Sequence, residues 1–362
     1  MDNITAHCFI SYKLLNLRRY LRRFFLCVLM KIMTKKLIKS IMEEYLINKT
    51  PLTWDYKKWV AEFKQGSKSQ IGFRVSRKKV FDHTVEVIKA GQYVANGKTI
   101  MLKDFTDLLH IWQDSKFYPD THTLVLPEIT TPYITAYQVI QADCIEVGQT
   151  MQKLGFNPVV LNMANGNTPG GAVIRGAGAQ EENLFRRSNL YTSLYQYADF
   201  APQYGIHKHG KHRYPIPAQA GGIYSPDVLF FRSSEHSGYA LLAQPFTLSI
   251  VTVPAIAHPK VESRNGRNWL TPPQIEFTKH KIRTILKMAA LHQHDCLILS
   301  AFGCGAFKNP PHHMAQLFKE VLAETDFNER FKSVIFAIID DHNAWKAHNP
   351  EGNLIPFQQV FD

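Results

Sequence analysis

Paired cysteines are missing from this chain. Its five cysteines, Cys8, Cys27, Cys144, Cys296 and Cys304, are scattered and form no CxxC pair. That excludes a disulfide-stapled scaffold and a cysteine zinc site, and it fits a reducing compartment, expected to be the cytoplasm. Internal repeats and low-complexity tracts are absent too. No small-residue cleavage site of the secretory kind stands out near the start. Acidic residues are scarce at one end: residues 1–42 hold nine basic residues against Asp2 alone, and so carry +8 of the net +12. The remainder is only mildly basic at +4, which argues against a nucleic-acid groove, so no direct nucleic-acid contact is expected.

The basic segment "LRRYLRRFFLCVLMKIM" has a longest apolar run of Phe24–Met30. A bilayer span takes ~20 apolar residues. The segment therefore reads in one of three ways. It is a surface amphipathic helix making weak membrane contact through residues 1–42, an Arg-rich targeting segment that leaves organelle delivery open, or an over-long start whose true initiator is Met33 or Met42.

What is present is ordinary globular composition over 362 residues, 45% hydrophobic and 20% charged, enough for one large domain or two. Residues 52–115 read as mainly helical, with Phe81, Val85 and Ile88 at helical spacing before a stop at Gly91. "KTIMLKDF" reads as a strand or hairpin piece. From Thr135 the pattern becomes alternating. "TAYQVIQ", "NPVVLNM", "FTLSIVTVPAI", "DCLILSAFG" and "SVIFAII" read as strands. "DCIEVGQTMQKLG", "EENLFRRSNLYTSLYQY", "TKHKIRTILKMAALHQH" and "HHMAQLFKEVLAE" read as helices, the second of them a single amphipathic one. Such alternation predicts a mostly parallel sheet covered on both faces, with ligands at the carboxyl ends of its strands. We divide the chain into a basic segment over 1–50, a helical accessory region over 51–134 and a catalytic domain over 135–362.

Two glycine-bearing loops fall at such strand ends. In "NMANGNTPGGAVIRGAGAQEENL", Gly170, Gly171 and Ala172 let the backbone approach a ligand closely, and a helix starting near Gln180 adds the positive end of its dipole. Either the loop cradles a diphosphate or it is simply a turn. Glu181 and Glu182 follow directly. Neighbours on a helix point about 100° apart, so one carboxyl can hold a sugar hydroxyl while the other protonates a leaving group. Two carboxyls flanking an oxocarbenium-like centre are the usual equipment for glycoside cleavage; the plainer reading is a first helical turn that complements its dipole. In "SAFGCGAFKNPP", Gly303, Cys304, Gly305 and Ala306 can present N–H groups to phosphate, and Phe307 can wall a ribose or a base. Cys304 reads as a small buried thiol rather than a nucleophile. "HKHGKHRY" (207–214) reads as a solvated loop, with target recognition next and metal binding last. His312-His313 reads as an accident of helix entry.

These residues resemble a known family. Gly170-Gly171-Ala172, seven residues and then Gln180-Glu181-Glu182 is similar to the Gly-Gly-Gly…Gln-Glu-Glu motif of poly(ADP-ribose) glycohydrolases, within the macrodomain superfamily. "NMAN", "IYSPDVLFFR" and "FGCGAFKNPP" resemble segments of its microbial branch, and the likeness runs from about Arg77 to the C-terminus. It implies a macrodomain-like three-layer α/β/α sandwich with a mixed, mostly parallel sheet. It also implies ADP-ribose and ADP-ribosylated protein as partners, with no cofactor and no metal. Glu182 would be the acid/base, Glu181 would orient the ribose, Asn165 would bind the terminal ribose and Gln180 would support the site. The Gly170–Ala172 and Gly303–Ala306 backbones would hold the diphosphate, with Phe307 packed on the ribose. Ala172 replaces the third glycine, and Lys308 stands where a small residue is expected. These departures raise two alternatives: a hydrolase for mono-ADP-ribosylated side chains, arginine included, and a module that binds ADP-ribose without cutting it.

Overall fold

Continuous apolar strands need cover on both faces, and the order of elements supplies it. The computed structural model describes residues 52–362, apart from 67–69, 106–110 and 342; the readings of residues 1–50 lie outside the described residues. Two helices, α1 (Tyr56–Gly66) and α2 (Gln70–Ala90), precede a hairpin of β1 (Gln92–Ala95) and β2 (Lys98–Met101). After the short α3 (Ile111–Asp114), β3 (Lys116–Tyr118) joins the main sheet. The remaining strands are β4 (Ala136–Ile140), β5 (Pro158–Met163), β6 (Gly222–Arg232), β7 (Leu241–Val253), β8 (Val261–Arg264), β9 (Arg267–Leu270), β10 (Cys296–Leu299) and β11 (Ser333–Ala337). Between and after them lie α4 (Cys144–Lys153), α5 (Gln180–Arg187), α6 (Leu190–Tyr195), α7 (Pro272–Leu291), α8 (Pro311–Leu322) and α9 (Leu354–Phe361).

The seven-stranded sheet runs β3-β6-β7-β5-β10-β11-β4. The four pairings from β7 to β4 are parallel, and the two at the β3 edge are antiparallel. Side chains alternate between faces along a strand, and the core divides accordingly. Val159, Leu161, Leu297, Leu299, Val334 and Phe336 pack with α7, α8 and α9. Val160, Ile298 and Ile335 pack with Phe81 of α2 and with α4, α5 and α6 on the other face. This is the α/β/α sandwich with a mixed, mostly parallel sheet.

Two expectations about elements change. "EENLFRRSNLYTSLYQY" forms two helices. Ser188 adopts extended backbone and bridges Phe230, and Asn189 exchanges bonds with Leu229 through both its N–H (3.2 Å) and its side-chain oxygen (2.8 Å). The pairing with β6 outweighs continued helix. Both halves are also almost wholly buried, because α2 covers α5 and α3 packs on α6. Residues 51–134, expected as an accessory region, contribute β3 to the sheet edge and α2 to the core, and Leu52–Asp362 forms one unit.

Candidate active site

Strand β5 ends at the middle of the sheet beside β10, so the two glycine-bearing loops leave adjacent parallel strands at the same edge. Gln180, the first residue of α5, fastens the helix to the strand end. Its amide nitrogen donates to the Leu161 carbonyl (2.6 Å), and its oxygen accepts from the Met163 N–H (2.9 Å). The start of α5 is thereby fixed against the sheet, and the next two residues are the adjacent carboxyls.

Glu181 and Glu182 are both buried, at 3% and 6% exposure. Glu181 accepts from the Asn165 N–H (2.8 Å) with one oxygen and from the Gly170 N–H (3.0 Å) with the other. Burial, then the neighbouring Glu182 carboxylate, pushes Glu181 up to about 8 against the pull of those two donors. Glu182 accepts from the Ala172 N–H (3.0 Å) with Oε1, while its Oε2 is buried and has no partner. An unpaired buried carboxyl oxygen is costly unless a ligand completes it. One carboxyl is thus fully fastened and the other keeps a free oxygen.

The glycine pattern has a steric cause. Gly170 and Gly171 have φ of +74° and +55°. A β-carbon at Gly170 would lie 2.5 Å from the Phe185 ring, and one at Gly171 would lie 2.5 Å from Glu182 Oε1. Ala172 has φ −110°, which any residue adopts, and its N–H stays on Glu182. The third glycine is therefore dispensable here. The amides of this loop serve the protein itself: those of Gly170 and Ala172 go to the two carboxyls and that of Gly171 to the Thr168 carbonyl. The diphosphate expected on this loop would therefore meet amides that already have acceptors, two of them in the carboxyl pair.

The second loop is different. Gly303 (φ +74°) packs against Asn309 and Ala255, and Asn309 bonds back to its carbonyl. His348 reaches the Cys304 carbonyl (3.0 Å). Among the described residues, no internal acceptor takes the amides of Gly305, Ala306 and Phe307. Gly305 and Phe307 are half-buried and Ala306 is exposed. Cys304 is a free, fully buried thiol, and burial drives its pKa far up, so it supplies no thiolate near neutral pH. Lys308 is exposed at φ +59°. Asn165 spends its side-chain oxygen on the Asn167 and Thr168 amides (2.9 and 3.0 Å), so only its NH₂ can turn to a ligand.

Sequence reasoning missed three groups around the pair. Asn162 lies buried within apolar β5, donates to Thr252 (3.2 Å) and helps to hold Glu181 charged. A lone amide inside an apolar strand was the available signal. Tyr214 has a buried hydroxyl without a partner; burial and then the Glu181 charge push its pKa well up. Arg77 of α2 crosses Gly178, where a β-carbon would meet its guanidinium at 2.2 Å from Nη1. It bonds Glu235 twice (2.8 and 2.7 Å), Glu235 accepts from the Tyr239 hydroxyl (2.9 Å), and Tyr239 accepts from Arg186 (2.8 Å) and Asn183 (3.2 Å) of α5. No local signal marks Arg77, because its partner lies 158 positions away. His313 is likewise no accident of helix entry: its Nδ1 accepts from the Leu270 N–H (2.9 Å). Among the described residues, no group of three or more His, Cys, Asp or Glu is placed to hold a metal ion.

The sheet order, the two loops at one edge and the buried carboxyl pair define a macrodomain-like α/β protein. Residues 82–233 match the family described as microbial-type PARG, catalytic domain. The poly(ADP-ribose) glycohydrolase of Thermomonospora curvata bound to the inhibitor ADP-HPD shares 28% identity, over 79% of this chain and 99% of that one, with a TM-score of 0.61. The same enzyme in a further crystal structure gives a TM-score of 0.62 over 80% and 100%. The Deinococcus radiodurans enzyme in complex with ADP-ribose gives 25% identity and a TM-score of 0.51, over 70% and 96%. No curated protein matches. The chain is thus similar to microbial-type poly(ADP-ribose) glycohydrolases in sequence over residues 82–233 and in fold over most of its length.

Proposed function

We propose that the protein is an ADP-ribosyl glycohydrolase that cleaves the glycosidic bond at the anomeric carbon of ADP-ribose, with poly(ADP-ribose) as its substrate. The observation that carries the reading is the free, buried Oε2 of Glu182 beside a fully fastened Glu181, in a chain similar to enzymes of that activity. Burial, then the Glu182 carboxylate, raises Glu181 to about 8, so a proton stays on the pair near neutral pH. The pair then holds about one proton, and only Glu182 has an oxygen free to deliver it. As the bond from the anomeric carbon to the acceptor oxygen breaks, its electron pair goes to that oxygen, which takes the proton from Glu182. Glu182, now a carboxylate, removes a proton from the water that adds to the carbon.

Glu181 stays hydrogen-bonded and orients the ribose. The Asn165 NH₂ meets a ribose hydroxyl, Gln180 secures the helix, and Phe307 packs on the sugar. The diphosphate lies on the open amides of Gly305, Ala306 and Phe307, because the Gly170–Ala172 amides are committed. Free, buried thiols at Cys144, Cys296 and Cys304 fit a reducing compartment, and the basic residues 1–42 fit a targeting or membrane-surface role.

A second reading, hydrolysis of mono-ADP-ribosylated arginine on proteins, now rests on Lys308 alone, since Ala172 keeps its bond to Glu182. The test is ADP-ribose release from automodified poly(ADP-ribosyl)ated protein and from arginine-mono-ADP-ribosylated protein, run side by side. Glu182-dependent release from the polymer supports the first reading. Release from the mono-modified protein alone supports the second. Binding of ADP-ribose without release from either overturns both.

A further inference from the structure

The "HKHGKHRY" loop is anchored at its end, and the residues just after it run beside the site. Tyr214 donates its N–H to the Tyr197 carbonyl (2.8 Å), and Ile216 donates to the Gly166 carbonyl (2.8 Å), one residue beyond Asn165. The Tyr214 ring reaches close enough to Glu181 for that carboxylate to act on its hydroxyl. The loop is also built rather than loose. His212 stacks on Phe117 (4.9 Å between ring centres, 3° between planes) and on His209 (5.2 Å), and His209 meets Tyr197. His209 Nδ1 accepts from the Lys211 and His212 amides (3.2 and 2.9 Å). The rings turn inward, and Lys208, Lys211 and Arg213 are exposed.

The charges on this rim do not cancel. Asp199 is the acid that acts on it, through an ion pair with Lys208 (2.8 Å) and the nearby Arg213. Arg213 uses Nη1 on the His209 and His212 carbonyls, which fixes its head. Among the described residues, no ion pair holds Lys211. Three cations against one carboxylate leave a surplus on this loop, on a frame held by ring stacking. A surplus of this kind attracts an extended polyanion that passes it much more than a small anion held at the carboxyl pair.

We propose that Lys208, Lys211 and Arg213 form a second anion subsite, which takes the diphosphate of the ADP-ribose unit next to the one being cleaved. This rests on the glycohydrolase reading and narrows its substrate to polymer. Gly166 follows the residue assigned to the terminal ribose, so the chain beyond the scissile bond passes this rim. Lys211 and Arg213 are then specificity-determining residues that leave the bond-breaking step alone.

The test separates the subsite from the activity. Full-length Glu182→Gln protein is titrated with poly(ADP-ribose) chains and with free ADP-ribose, at low and at high salt, with and without Lys211→Glu and Arg213→Glu. The expected result is tighter binding of polymer than of monomer. Charge reversal should weaken polymer binding about tenfold at low salt, and less at high salt, while ADP-ribose binding shifts by less than about twofold. In the Glu182 protein, the same reversal raises KM for polymer and leaves kcat in place. Equal binding of polymer and monomer, or equal weakening of both, or no weakening of either, overturns the subsite. Rim-dependent polymer binding without Glu182-dependent release would instead sink the glycohydrolase reading and leave the subsite standing.

Discussion

At the residue scale, the site works by giving two adjacent carboxyls unequal surroundings. Glu181 has both oxygens on backbone N–H groups, and Glu182 has one oxygen free. Glu181 is raised to about 8 by burial and by its neighbour. The acid step needs the proton that the pair retains, and that proton is lost as pH rises through this value. We therefore expect kcat/KM for polymer to be level near neutrality and to fall above pH about 8, about tenfold per pH unit. A profile still level at pH about 10 would contradict a proton held by this pair. Gly171 is the second test at this scale. A methyl there would sit 2.5 Å from Glu182 Oε1 on a φ of +55°. Gly171→Ala should lower kcat about 100-fold or more, because a displacement of ~1 Å in a catalytic group has that effect. Its thermal midpoint should drop by only a few degrees. Full activity in this variant would mean that the two carboxyls are not held as described.

At the scale of elements, the sequence revealed the sheet better than the clamp around it. Strands β5, β7, β10 and β11 were legible because central strands covered on both faces carry short, mainly apolar runs. The two loops were legible because glycine is needed wherever φ turns positive under close packing. The break between α5 and α6 was not, because Ser188 and Asn189 leave the helix to pair with β6, some 40 residues further on. Nor was the role of the first loop, whose amides turned out to serve Glu181 and Glu182. That could not be read from glycine spacing, because an amide facing a phosphate and one facing a carboxyl need the same backbone freedom. The clamp from α2 was equally hidden. Arg77 closes over Gly178 and reaches α5 through Glu235, Tyr239 and Arg186. The Arg77–Glu235 pair is partly buried, at 16% and 26% side-chain exposure, so it lies between the weak surface case and the strong buried one. Arg77→Ala should cost about 1–2 kcal/mol in urea unfolding. It should also lower kcat about tenfold, with ADP-ribose affinity nearly unchanged. Loss of stability with kcat intact would make the clamp merely structural.

At the scale of the whole molecule, every group assigned to catalysis lies within Leu52–Asp362, and that unit holds the complete seven-stranded sheet. The basic segment that dominates the net charge lies outside it. Starting the chain at Leu52 should leave kcat, KM and the thermal midpoint unchanged within error, while lowering retention on a cation-exchange matrix. A fall in kcat would give residues 1–51 a part in the site. The net charge of +12 therefore says little about catalysis. The surplus that matters to substrate is the small one at Lys208, Lys211 and Arg213.

The central claim is that Glu182 moves the proton, and one comparison tests it most directly. ADP-ribose release at saturating polymer is measured for the protein and for Glu182→Gln, with ADP-ribose affinity measured on both. We predict steady release by the protein, a fall in kcat of roughly 100- to 10,000-fold in the variant, and ADP-ribose affinity within about threefold. A variant that releases ADP-ribose at the original rate would contradict the assignment, since no other carboxyl oxygen in the pair is free to take its place.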